Sequence, residues 1–525
     1  MKHFVLVCFL VGLIFSCGQK KETTKPIIDD IPTSNLSGSA LARIHCAGCH
    51  VFVSPQVLPK KIWKNDILPA MGNRLGIYNG DQQPDSIFGS PQNRLIVKQA
   101  AIFPEQALLA KADWMKLVDY YIENSLDSLP TPKRSTSIKN GLKHFKYKEA
   151  QYANRPPLTS MVKILSQNKG IVFSDSKRNA NALSFLNTDL EKEFEIPIGN
   201  TPINYYEKGD TVYLTTIGRN VFPNDLADGA VQKLILNRTE QSATPKATLI
   251  SNLQRPVNMA YGDFNNDGLQ DIVACEFGDL TGKLVWFKNL GNDSYHRNVL
   301  KEQPGAISAV IKDYNKDGHN DIFVLMAQGD EGVFYYENTG KGTFIEKRLL
   351  TFSPLNGSQY IELADFNNDG YDDIVYVSGD NADKTPILKN HHGIYIYLND
   401  GNFNFKQEYF YQLNGAYKAM ARDYDLDGDL DIAAISFFPD YLDHPEESFV
   451  FLENDGALGF EDYTFPQSSN GRWIVMDAGD IDSDGDIDIA LGSFVFFLAK
   501  GDTTGLSKKW LSESPSIIVL ENTIK

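Results

Sequence analysis

After about residue 150, short apolar runs alternate with polar, Gly-containing turns along the chain. Runs such as 272–274 and 432–434 are rich in Ile, Val and Ala, which is typical of buried β-strands. Before residue 130 the apolar positions instead follow a helical period. The apolar positions with this spacing are Trp114, Leu117, Val118, Tyr121 and Ile122. The pattern therefore predicts a small all-α part followed by a large all-β part.

Two helices stand out in the first part. Residues 104–125 predict an amphipathic helix, with Asp113 as a candidate N-cap of its second half. Residues 37–45 predict a shorter helix near the N-terminus. With 525 residues, more than one domain is expected.

The first 16 residues predict a signal peptide. Lys2 is followed by an apolar stretch, 4–15, which is too short to cross a bilayer as a helix. The stretch ends in Ser16-Cys17, and residues 13–17 resemble the lipobox of bacterial lipoproteins. The resemblance implies that Cys17 is acylated and that the protein is anchored to the outer membrane of a bacterial envelope, facing the periplasm or the cell surface. An ordinary signal peptide cut near the same place is the alternative. Residues 17–35 are polar and predict a flexible tether.

Cys46-Ala47-Gly48-Cys49-His50 is the C-x-x-C-H pattern of c-type haem attachment. Two thiols one helical turn apart can each bond one porphyrin edge, and the next residue, His50, is then placed to bind the iron. A zinc site would need more Cys or His ligands nearby, and only His45 is available. A thioredoxin-like site would need a βαβ context. One covalent haem held by Cys46 and Cys49 is therefore predicted.

Residues 36–130 resemble a monohaem c-type cytochrome domain, on the strength of this motif and the two flanking helices. The resemblance implies that the helices at its two ends pack across each other, and that a second residue completes the iron coordination. Met71 is the candidate sixth ligand, because a thioether after a helix, followed by Gly72, is expected to lie in a loop that can swing over the haem face. Met115 is the competing candidate, and an open sixth site is a third alternative. Ligation by Met would raise the potential and suit electron transfer.

From about residue 255 one loop pattern, D-x-[DN]-x-D-G-x-x-D, recurs five times, at intervals of about 50 to 58 residues. We number these loops 1 to 5: residues 263–271, 313–321, 365–373, 423–431 and 480–488. Oxygens at positions 1, 3 and 5, a carbonyl at position 7 and a carboxylate at position 9 can converge on Ca²⁺, with Gly at position 6 allowing the turn. An Asx-rich hairpin turn without metal is the alternative for a single copy, but five copies in register favour calcium.

The predicted calcium ligands are Asp263, Asn265, Asp267, Leu269 and Asp271 in loop 1; Asp313, Asn315, Asp317, His319 and Asp321 in loop 2; Asp365, Asn367, Asp369, Tyr371 and Asp373 in loop 3; Asp423, Asp425, Asp427, Asp429 and Asp431 in loop 4; and Asp480, Asp482, Asp484, Asp486 and Asp488 in loop 5. Without cations these loops repel themselves, so we expect a calcium-dependent stability.

Each loop is followed by an apolar strand, a Gly-containing turn and an aromatic strand that ends in Asn, such as 284–289. Four strands per repeat predict a propeller blade. Residues 255–525 resemble the FG-GAP/VCBS repeats of integrin-like propellers. Residues 151–254 have the same strand rhythm without the loop and predict two further, degenerate blades, which gives a seven-bladed propeller over 151–525. Residues 131–150 are predicted to be a linker with a closing strand at 145–149 that completes the last blade.

The face opposite the calcium loops is the candidate ligand face. Loops expected there are long and rich in His and aromatic residues: 379–393 with His391 and His392, 437–448, and 494–515. A candidate ligand rim around the channel mouth consists of Arg255, Tyr417, Lys418, Arg472 and Trp473. A sugar or an acidic ligand is the expected occupant, and solvated loops without a ligand are the alternative.

Charge and cysteine content limit the remaining functions. The net charge of −17 argues against nucleic-acid binding. Cys275 lies in an apolar strand and is expected to be a buried, inert thiol. The sequence thus predicts a membrane-anchored electron-transfer cytochrome whose propeller docks a redox protein or a glycan. The alternatives are a haem-linked oxidoreductase acting on a carbohydrate at the propeller face, and a binding module in which the haem is secondary.

Overall fold

The computed structural model describes residues 31–80, 91–132, 134, 137–152, 154–167, 169–176, 181–340, 342–381, 387–496 and 502–525. Cys8, Cys17 and the predicted signal peptide lie outside these ranges. Within them, helices fill the N-terminal part and β-sheets make up the rest. No helix in the described ranges has the length and apolar character needed to span a membrane.

Five helices form the N-terminal part, up to residue 124. They are α1 (Gly38–His45), α2 (Lys60–Ile62), α3 (Leu68–Arg74), α4 (Pro91–Gln99) and α5 (Lys111–Asn124). A π-helical turn, Trp63–Ile67, joins α2 to α3, and a 3-10 turn, Pro55–Val57, precedes them. One apolar cluster holds these elements together and includes Leu41 and Ala42 of α1 and Leu117 and Tyr121 of α5.

The first and last of these helices cross closely, at Gly38. A Cβ added to Gly38 would lie 2.1 Å from the carbonyl oxygen of Lys116 and 2.8 Å from Cβ of Tyr120. Only glycine permits this approach of α1 to α5. The packing of the two predicted helices across each other is therefore present in the structure.

The start of α5 differs from the prediction. The helix begins at Lys111 instead of Pro104, and its N-cap is Ala110, so the N-cap role predicted for Asp113 is wrong. The Asp113 carboxylate lies one turn into the helix, where it accepts hydrogen bonds from the backbone N–H of Ser34 (2.8 Å) and from Nζ of Lys116 (2.8 Å). Ser34, placed in the predicted flexible tether, is thereby held against α5.

In the described residues the β-part consists of seven blades, each with four antiparallel strands, and a fifth strand from the linker is added in parallel to one of them. Blades 1 and 2 contain β3 (Thr159–Ile164), β4 (Ile171–Asp175), β5 (Asn181–Leu186) and β6 (Lys192–Ile198), then β7 (Pro202–Lys208), β8 (Thr211–Thr216), β9 (Gly229–Asn237) and β10 (Ser242–Leu253). Blades 3 and 4 contain β11 (Pro256–Gly262), β12 (Asp271–Glu276), β13 (Lys283–Asn289) and β14 (Tyr295–Lys301), then β15 (Ala306–Lys312), β16 (Asp321–Met326), β17 (Gly332–Asn338) and β18 (Phe344–Thr351). The seven-bladed propeller predicted from the strand rhythm is confirmed.

The last three blades follow the same order. Blades 5 and 6 contain β19 (Ser358–Ala364), β20 (Asp373–Ser378), β21 (Gly393–Asn399) and β22 (Phe405–Gln412), then β23 (Ala416–Arg422), β24 (Asp431–Ser436), β25 (Phe449–Asn454) and β26 (Phe460–Thr464). Blade 7 contains β27 (Trp473–Gly479), β28 (Asp488–Ser493) and β29 (Ile517–Asn522), with helix α6 (Leu506–Glu513) before β29. The sequence predicted only a loop where α6 lies.

The outer strand of blade 7 comes from the linker. Strand β2 (Phe145–Glu149) pairs antiparallel with β29, so that Phe145 faces Asn522 and Glu149 faces Ile518. A second linker strand, β1 (Lys139–Asn140), pairs parallel with β26 of blade 6. The linker thus adds a strand to each of two neighbouring blades and joins the two ends of the ring.

The first strands of the blades line the centre of the ring, each in contact with the first strand of the next blade. Ion pairs link some of them across the blade boundary. The Glu362 carboxylate of β19 accepts from Nη1 of Arg422 on β23 at 2.6 Å. The Asp477 carboxylate of β27 accepts from Nζ of Lys163 on β3 at 2.9 Å, which links blade 7 to blade 1.

The helical part packs on the propeller face opposite loops 1 to 5. Leu355, between blades 4 and 5, and Ile387, between β20 and β21, both join the helical apolar cluster. On the other side, the Asn93 amide of α4 bonds to Asp225 between β8 and β9: the Asp225 N–H donates to Asn93 Oδ1 at 2.7 Å. The side chain of Asp225 is buried and accepts backbone N–H groups of residues 279–281, at 2.6 to 3.1 Å. This contact places the helical part over the face predicted to bind a ligand.

Candidate haem and cation sites

The Cys46–His50 segment begins where α1 ends. Cys46 is the C-cap of α1, and its N–H donates to the carbonyl of Ala42 at 2.9 Å. Both thiols are free, that of Cys46 half-buried and that of Cys49 exposed. Burial raises the pKa of the Cys46 thiol, which lies in hydrogen-bonding contact with the Tyr121 hydroxyl. The helix therefore fixes the first thiol while the second remains accessible.

The His50 imidazole has a defined tautomer. Its Nδ1 lies 2.8 Å from the carbonyl oxygen of Val51. A carbonyl oxygen can only accept, so Nδ1 carries the proton and donates it to this bond. In the neutral ring Nε2 is then left with a free electron pair, which is the form in which an imidazole binds a metal.

The residues after His50 are held by the core of the helical part. The Tyr121 hydroxyl donates to the carbonyl of Val53 at 2.8 Å, and Trp63 Nε1 donates to the carbonyl of Pro55 at 2.8 Å. The two rings pack together with centroids 4.4 Å apart. The sequence placed Tyr121 on the apolar face of the last helix but did not predict that it also orders the segment beside the thiols.

The structure differentiates the two candidate methionines. Met71 lies inside α3 and is partly buried against the helical apolar cluster, so the expectation that it occupies a loop after a helix is wrong. Gly72 next to it packs against Trp114, whose Cζ2 would lie 3.1 Å from an added Cβ. Met115 lies on α5 with 46% of its surface exposed. Met71 is the one that belongs to the cluster containing Cys46.

The residues of this region fit a covalently bound haem. Two free thiols are three positions apart, followed by an imidazole whose Nε2 has an available electron pair. Several apolar side chains pack, like Cys46, against the helical cluster and remain partly exposed. They are Phe52, Ile62, Ile67, Met71 and Leu75.

The five D-x-[DN]-x-D-G-x-x-D loops share one backbone conformation. Each joins the first strand of its blade to the second, and the Gly at position 6 has a positive φ in all five, from 79° to 100°. Residues at position 4 are also left-handed: Asn266, Lys316, Asn368, Leu426 and Ser483. The sharp turn predicted from the Gly is thus present in every copy, because a residue with Cβ would be strained there.

The Asp at position 1 organises each loop. In loop 1 the Asp263 carboxylate accepts from the N–H of Asp267 (3.3 Å) and Gly268 (2.8 Å). The bond from the position-6 N–H recurs in all five loops, at 2.8 to 3.2 Å. In loops 1 to 3 the position-3 amide Nδ2 donates to the position-5 carboxylate, at 2.8 to 3.0 Å. The oxygens at positions 1, 3 and 5 are thereby brought together at the tip of the turn.

The Asp at position 9 connects each loop to the end of the third strand. In blade 4 the buried Asp321 carboxylate accepts from the N–H of Tyr314 (3.2 Å) and of Asn338 (2.8 Å). The same pair of backbone donors, from position 2 and from the Asn that ends the aromatic strand, binds the position-9 carboxylate in the other four loops. These carboxylates are Asp271, Asp373, Asp431 and Asp488.

The recurring Asn is a structural residue whose role the sequence analysis missed. Asn338 Nδ2 donates to the carbonyl of Asn320 in its own blade (3.0 Å) and to the carbonyl of Phe264 in loop 1 (2.8 Å). It therefore ties two neighbouring loops together. The signal was present in the sequence as an Asn at the end of each aromatic strand.

Burial raises the pKa of the position-9 carboxylates. Desolvation raises the pKa of Asp373 to about 6 and of both Asp431 and Asp488 to about 7, against the lowering effect of their backbone N–H donors. Other loop carboxylates add to the rise by repulsion. The ionised form of these carboxylates is therefore disfavoured unless a cation lies close to them.

Loops 4 and 5 have the strongest features of a cation site. Asp423, Asp425 and Asp427 each offer an oxygen within 4.8 Å of the others, as do Asp480, Asp482 and Asp488. Oδ1 of Asp423 and of Asp480 are buried and accept no hydrogen bond. In loop 1, Oδ1 of Asn265 is likewise buried and unpartnered. Such oxygens fit a hard cation, which takes six to eight oxygen ligands.

The residues of the predicted ligand rim are used inside the propeller. Arg472 and Trp473 are buried, with 1% and 0% exposure, so their assignment to an exposed rim is wrong. Arg255 donates through Nε and Nη2 to the carbonyl of Val221 and through Nη1 to that of Gly278, all at 3.2 Å. The sequence placed these three residues between blades but could not show that other loops fold over them.

The two remaining rim residues lie near the centre of the ring. Lys418 donates to the carbonyl of Met476 at 2.8 Å, and desolvation lowers its pKa. Desolvation raises the pKa of Tyr417 to about 12. Neither forms an open cationic surface.

Several described residues of the long loops on this face are enclosed, whereas residues 382–386 and 497–501 of these loops lie outside the described ranges. His391 Nε2 donates to the carbonyl of Leu355 at 3.0 Å, and His392 is fully buried, so that desolvation lowers the pKa of both rings. In the 437–448 loop the Glu447 carboxylate is buried against Arg134 of the linker, 2.7 Å from Nη2. Trp510 of α6 is buried and donates from Nε1 to the carbonyl of Ser469 at 2.7 Å. Sequence reasoning expected these His and aromatic residues to be solvent-facing.

Comparison with known families gives two overlapping matches to the FG-GAP-like repeat, at residues 263–324 and 313–376. The chain contains FG-GAP-like repeats. The matched segments begin at loops 1 and 2 and extend into the second strand of the following blade. No curated protein sequence matches the chain.

Solved structures that are similar to the chain include the following three. A lectin of Agrocybe aegerita, solved for its specific recognition of non-reducing terminal N-acetylglucosamine, has 16% identity and a TM-score of 0.37, over 71% of this chain and 97% of the lectin. A chain in the S. cerevisiae structure of a Dbp5 variant bound to Nup159, a Gle1 variant, IP6 and ADP has 13% identity and a TM-score of 0.42, over 74% of this chain and 98% of that chain. The N-terminal domain of Nup159 has 13% identity and a TM-score of 0.41, over 75% and 99%.

Proposed function

We propose that this protein is a c-type cytochrome that transfers electrons, with a calcium-stabilised FG-GAP-like propeller as its docking module. In this proposal Cys46 and Cys49 bind one haem covalently and His50 binds its iron. Residues 36–130 form the cytochrome domain and 151–525 the propeller, with the linker of 131–150 between them. When bound, the haem would supply reversible one-electron chemistry.

The observation that carries this proposal is the arrangement of two free thiols and one imidazole at the end of α1. His50 donates its Nδ1 proton to Val51, which leaves Nε2 available for iron. Cys46 is anchored by α1 and by Tyr121, while Cys49 is exposed to a reacting porphyrin edge. In the described residues Cys275 is the remaining cysteine, and it is fully buried in β12. Cys275 therefore cannot share a zinc site or form a disulfide with Cys46 or Cys49.

We propose Ca²⁺ as the cation of loops 1 to 5, held at positions 1, 3, 5, 7 and 9. Support comes from the turn shared by all five loops, from buried oxygens without donors in loops 1, 4 and 5, and from carboxylates that lie close together in loops 4 and 5. Ca²⁺ removal is expected to lower the midpoint of thermal unfolding, because the released carboxylates repel each other. Calorimetry before and after chelation with EGTA, with Mg²⁺ re-addition as the control, measures this effect.

The partner is proposed to be a redox protein, a glycan, or both, and not a nucleic acid, because the chain is strongly acidic. The helical part lies on the propeller face opposite the calcium loops, so a partner that docks on that face approaches the proposed haem domain. This placement also supports the second candidate function, a haem-linked oxidoreductase acting on a carbohydrate held between the two parts. Turnover of a candidate sugar with reduction of the haem would favour the second function.

We propose a location in a bacterial envelope, with Cys17 acylated and the chain anchored to the outer membrane through lipid alone. A c-type haem and a signal sequence are consistent with export. Labelling with a radioactive fatty acid in cells, with Cys17→Ser as the variant, tests the anchor. Label retained in the variant would contradict it.

The test of the electron-transfer proposal is expression with a haem maturation system, followed by a potentiometric titration monitored by absorbance. The expected result is a reversible one-electron transition and reduction or oxidation by another cytochrome. His50→Ala should lose the low-spin spectrum, whereas His45→Ala, its neighbour on α1, should keep it. A spectrum unchanged in His50→Ala would contradict the ligand assignment.

The sixth ligand is tested separately. Met71→Ala is expected to remove the low-spin spectrum of a Met-ligated haem and to lower the potential. Met115→Ala is the matched control, because its side chain is exposed on α5. An unchanged spectrum in Met71→Ala would show that Met71 is not a ligand and would leave an open sixth site.

A further inference from the structure

The residue at position 7 separates loops 4 and 5 from the other three. Leu269, His319 and Tyr371 occupy position 7 in loops 1 to 3 and carry no carboxylate. Asp429 and Asp486 occupy it in loops 4 and 5, and each has a buried Oδ1 that accepts no hydrogen bond. Loops 4 and 5 therefore contain an additional carboxylate.

Asp486 is the more enclosed of the two. Its side chain has 0% exposure. Its carboxylate lies within hydrogen-bonding range of the carboxylate of Asp484, the position-5 residue of the same loop. Two carboxylates this close repel each other unless a cation lies between or beside them. A buried oxygen without a donor is also costly, because it has lost its water without gaining a hydrogen bond.

The other oxygen of Asp486 holds the segment that follows β29. Oδ2 accepts the backbone N–H of Ile524 at 3.2 Å and of Lys525 at 3.4 Å. Lys525 Nζ also donates to the carbonyl of Gly485 in loop 5, at 3.2 Å. Loop 4 has no corresponding bond from Asp429 to a following segment in the described residues.

The same segment is bound to the closing strand. The Thr523 N–H donates to the carbonyl of His144, one residue before β2, at 2.8 Å. The Asn522 N–H donates to Asp488 Oδ1 of loop 5, also at 2.8 Å. Loop 5, segment 523–525 and the β2–β29 pair are therefore one continuous hydrogen-bonded unit at the junction of the ring.

We propose that Asp486 binds the loop 5 cation through Oδ1 while Oδ2 holds segment 523–525, so that cation binding in loop 5 fixes the closure of the propeller between β2 and β29. The inference rests on the cation binding proposed above and assigns a regulatory role to one of the five loops. Binding of Ca²⁺ at loop 5 orients the Asp486 carboxylate toward the two N–H donors. Without the cation the repulsion from Asp484 displaces it, and the closing strand loses part of its support.

The test combines calorimetric Ca²⁺ titration of the full chain with hydrogen exchange of residues 145–149 and 517–525. In the wild type, Ca²⁺ should slow exchange of both segments by about tenfold or more. Asp486→Asn should weaken one Ca²⁺ site by about tenfold or more and abolish the Ca²⁺-dependent protection of both segments. Exchange of β16 and β20 in the same samples shows that the variant is folded.

Asp429→Asn is the matched control, because it removes the same charge from position 7 of loop 4. It should weaken a Ca²⁺ site but leave the protection of residues 145–149 and 517–525 unchanged. Full protection in Asp486→Asn, or equal loss in Asp429→Asn, would overturn the inference. If the wild-type protein binds Ca²⁺ but these segments are not protected, only the inference about closure is overturned. If the wild-type protein binds no Ca²⁺, the proposed calcium binding of the loops is overturned as well.

Discussion

A buried acid at the boundary of blades 4 and 5 makes the stability of the propeller depend on pH. Glu331 is 2% exposed, and its carboxylate accepts from Oγ of Ser358 at 2.6 Å, which is itself 2.7 Å from the Tyr376 hydroxyl. Burial raises the pKa of Glu331 from 4.5 to about 8, against the lowering effect of Ser358 and of the Lys389 ammonium. The folded protein therefore holds a proton that the unfolded chain has released.

The sign follows from this difference in proton binding. Below about pH 4.5 Glu331 is protonated in both the folded and the unfolded protein, so its ionisation does not change the free energy of unfolding. As the pH rises from there toward 8, the unfolded chain ionises while the folded one does not, and stability falls by about 1.4 kcal/mol per pH unit. Across the whole window the loss is on the order of 5 kcal/mol, and it becomes constant above the folded-state pKa.

Glu331→Gln is expected to remove this loss, because the neutral amide can still accept the Ser358 hydrogen bond. The assay is urea unfolding between about pH 5 and 8 at saturating Ca²⁺, followed by Trp fluorescence, with the variant compared to wild type at each pH. The stability of the variant relative to wild type should rise steadily with pH. Glu408→Gln, a change of an exposed glutamate in β22, is the control and should show no such trend. A Glu331→Gln difference that stays constant over the range would refute the reasoning.

Two further predictions concern packing and the loop network. Gly38→Ala should destabilise the helical part by about 1–3 kcal/mol, because its Cβ would overlap the Lys116 carbonyl, whereas an added Cβ at Gly48 lies 3.6 Å from its nearest neighbour. Thermal unfolding, followed by the circular dichroism signal of the helices, compares Gly38→Ala with Gly48→Ala. An equal loss of stability in both variants would contradict the close crossing of α1 and α5. Asn338→Ala should cost about 1–3 kcal/mol, because it leaves the buried carbonyl of Phe264 without its donor. Denaturant unfolding measures this loss, and an unchanged midpoint would show that the side chain does not couple loops 1 and 2.

Blades 3 to 7 could be predicted from the sequence because each carries its own local signals, and blades 1 and 2 because the same strand rhythm continues through them. The Gly at position 6, the aromatic strand and the terminal Asn recur once in each of blades 3 to 7. They fix the turn and the strand register within the blade. Strand β2 could be predicted because the last repeat lacked a fourth strand. Strand β1 could not, since two residues paired to β26 leave no periodic pattern.

The sites were predictable to different degrees for the same reason. The Cys46–His50 motif and the loop ligands are close in sequence, so spacing alone identifies them. The rim was predicted from residues on separate blades, and whether Arg472 is exposed or covered depends on how distant loops such as 437–448 fold. The second bond of Asp486, to residues after β29, depends on closure of the ring and has no local signal.

The central claim is that Cys46 and Cys49 carry a covalent haem. Its most direct test is the intact mass of the denatured full chain after expression with a haem maturation system. The account predicts a mass increased by one haem, lost entirely in the Cys46→Ala/Cys49→Ala variant and unaffected by Cys275→Ala. A wild-type chain of unmodified mass with both thiols still free to alkylate would contradict it.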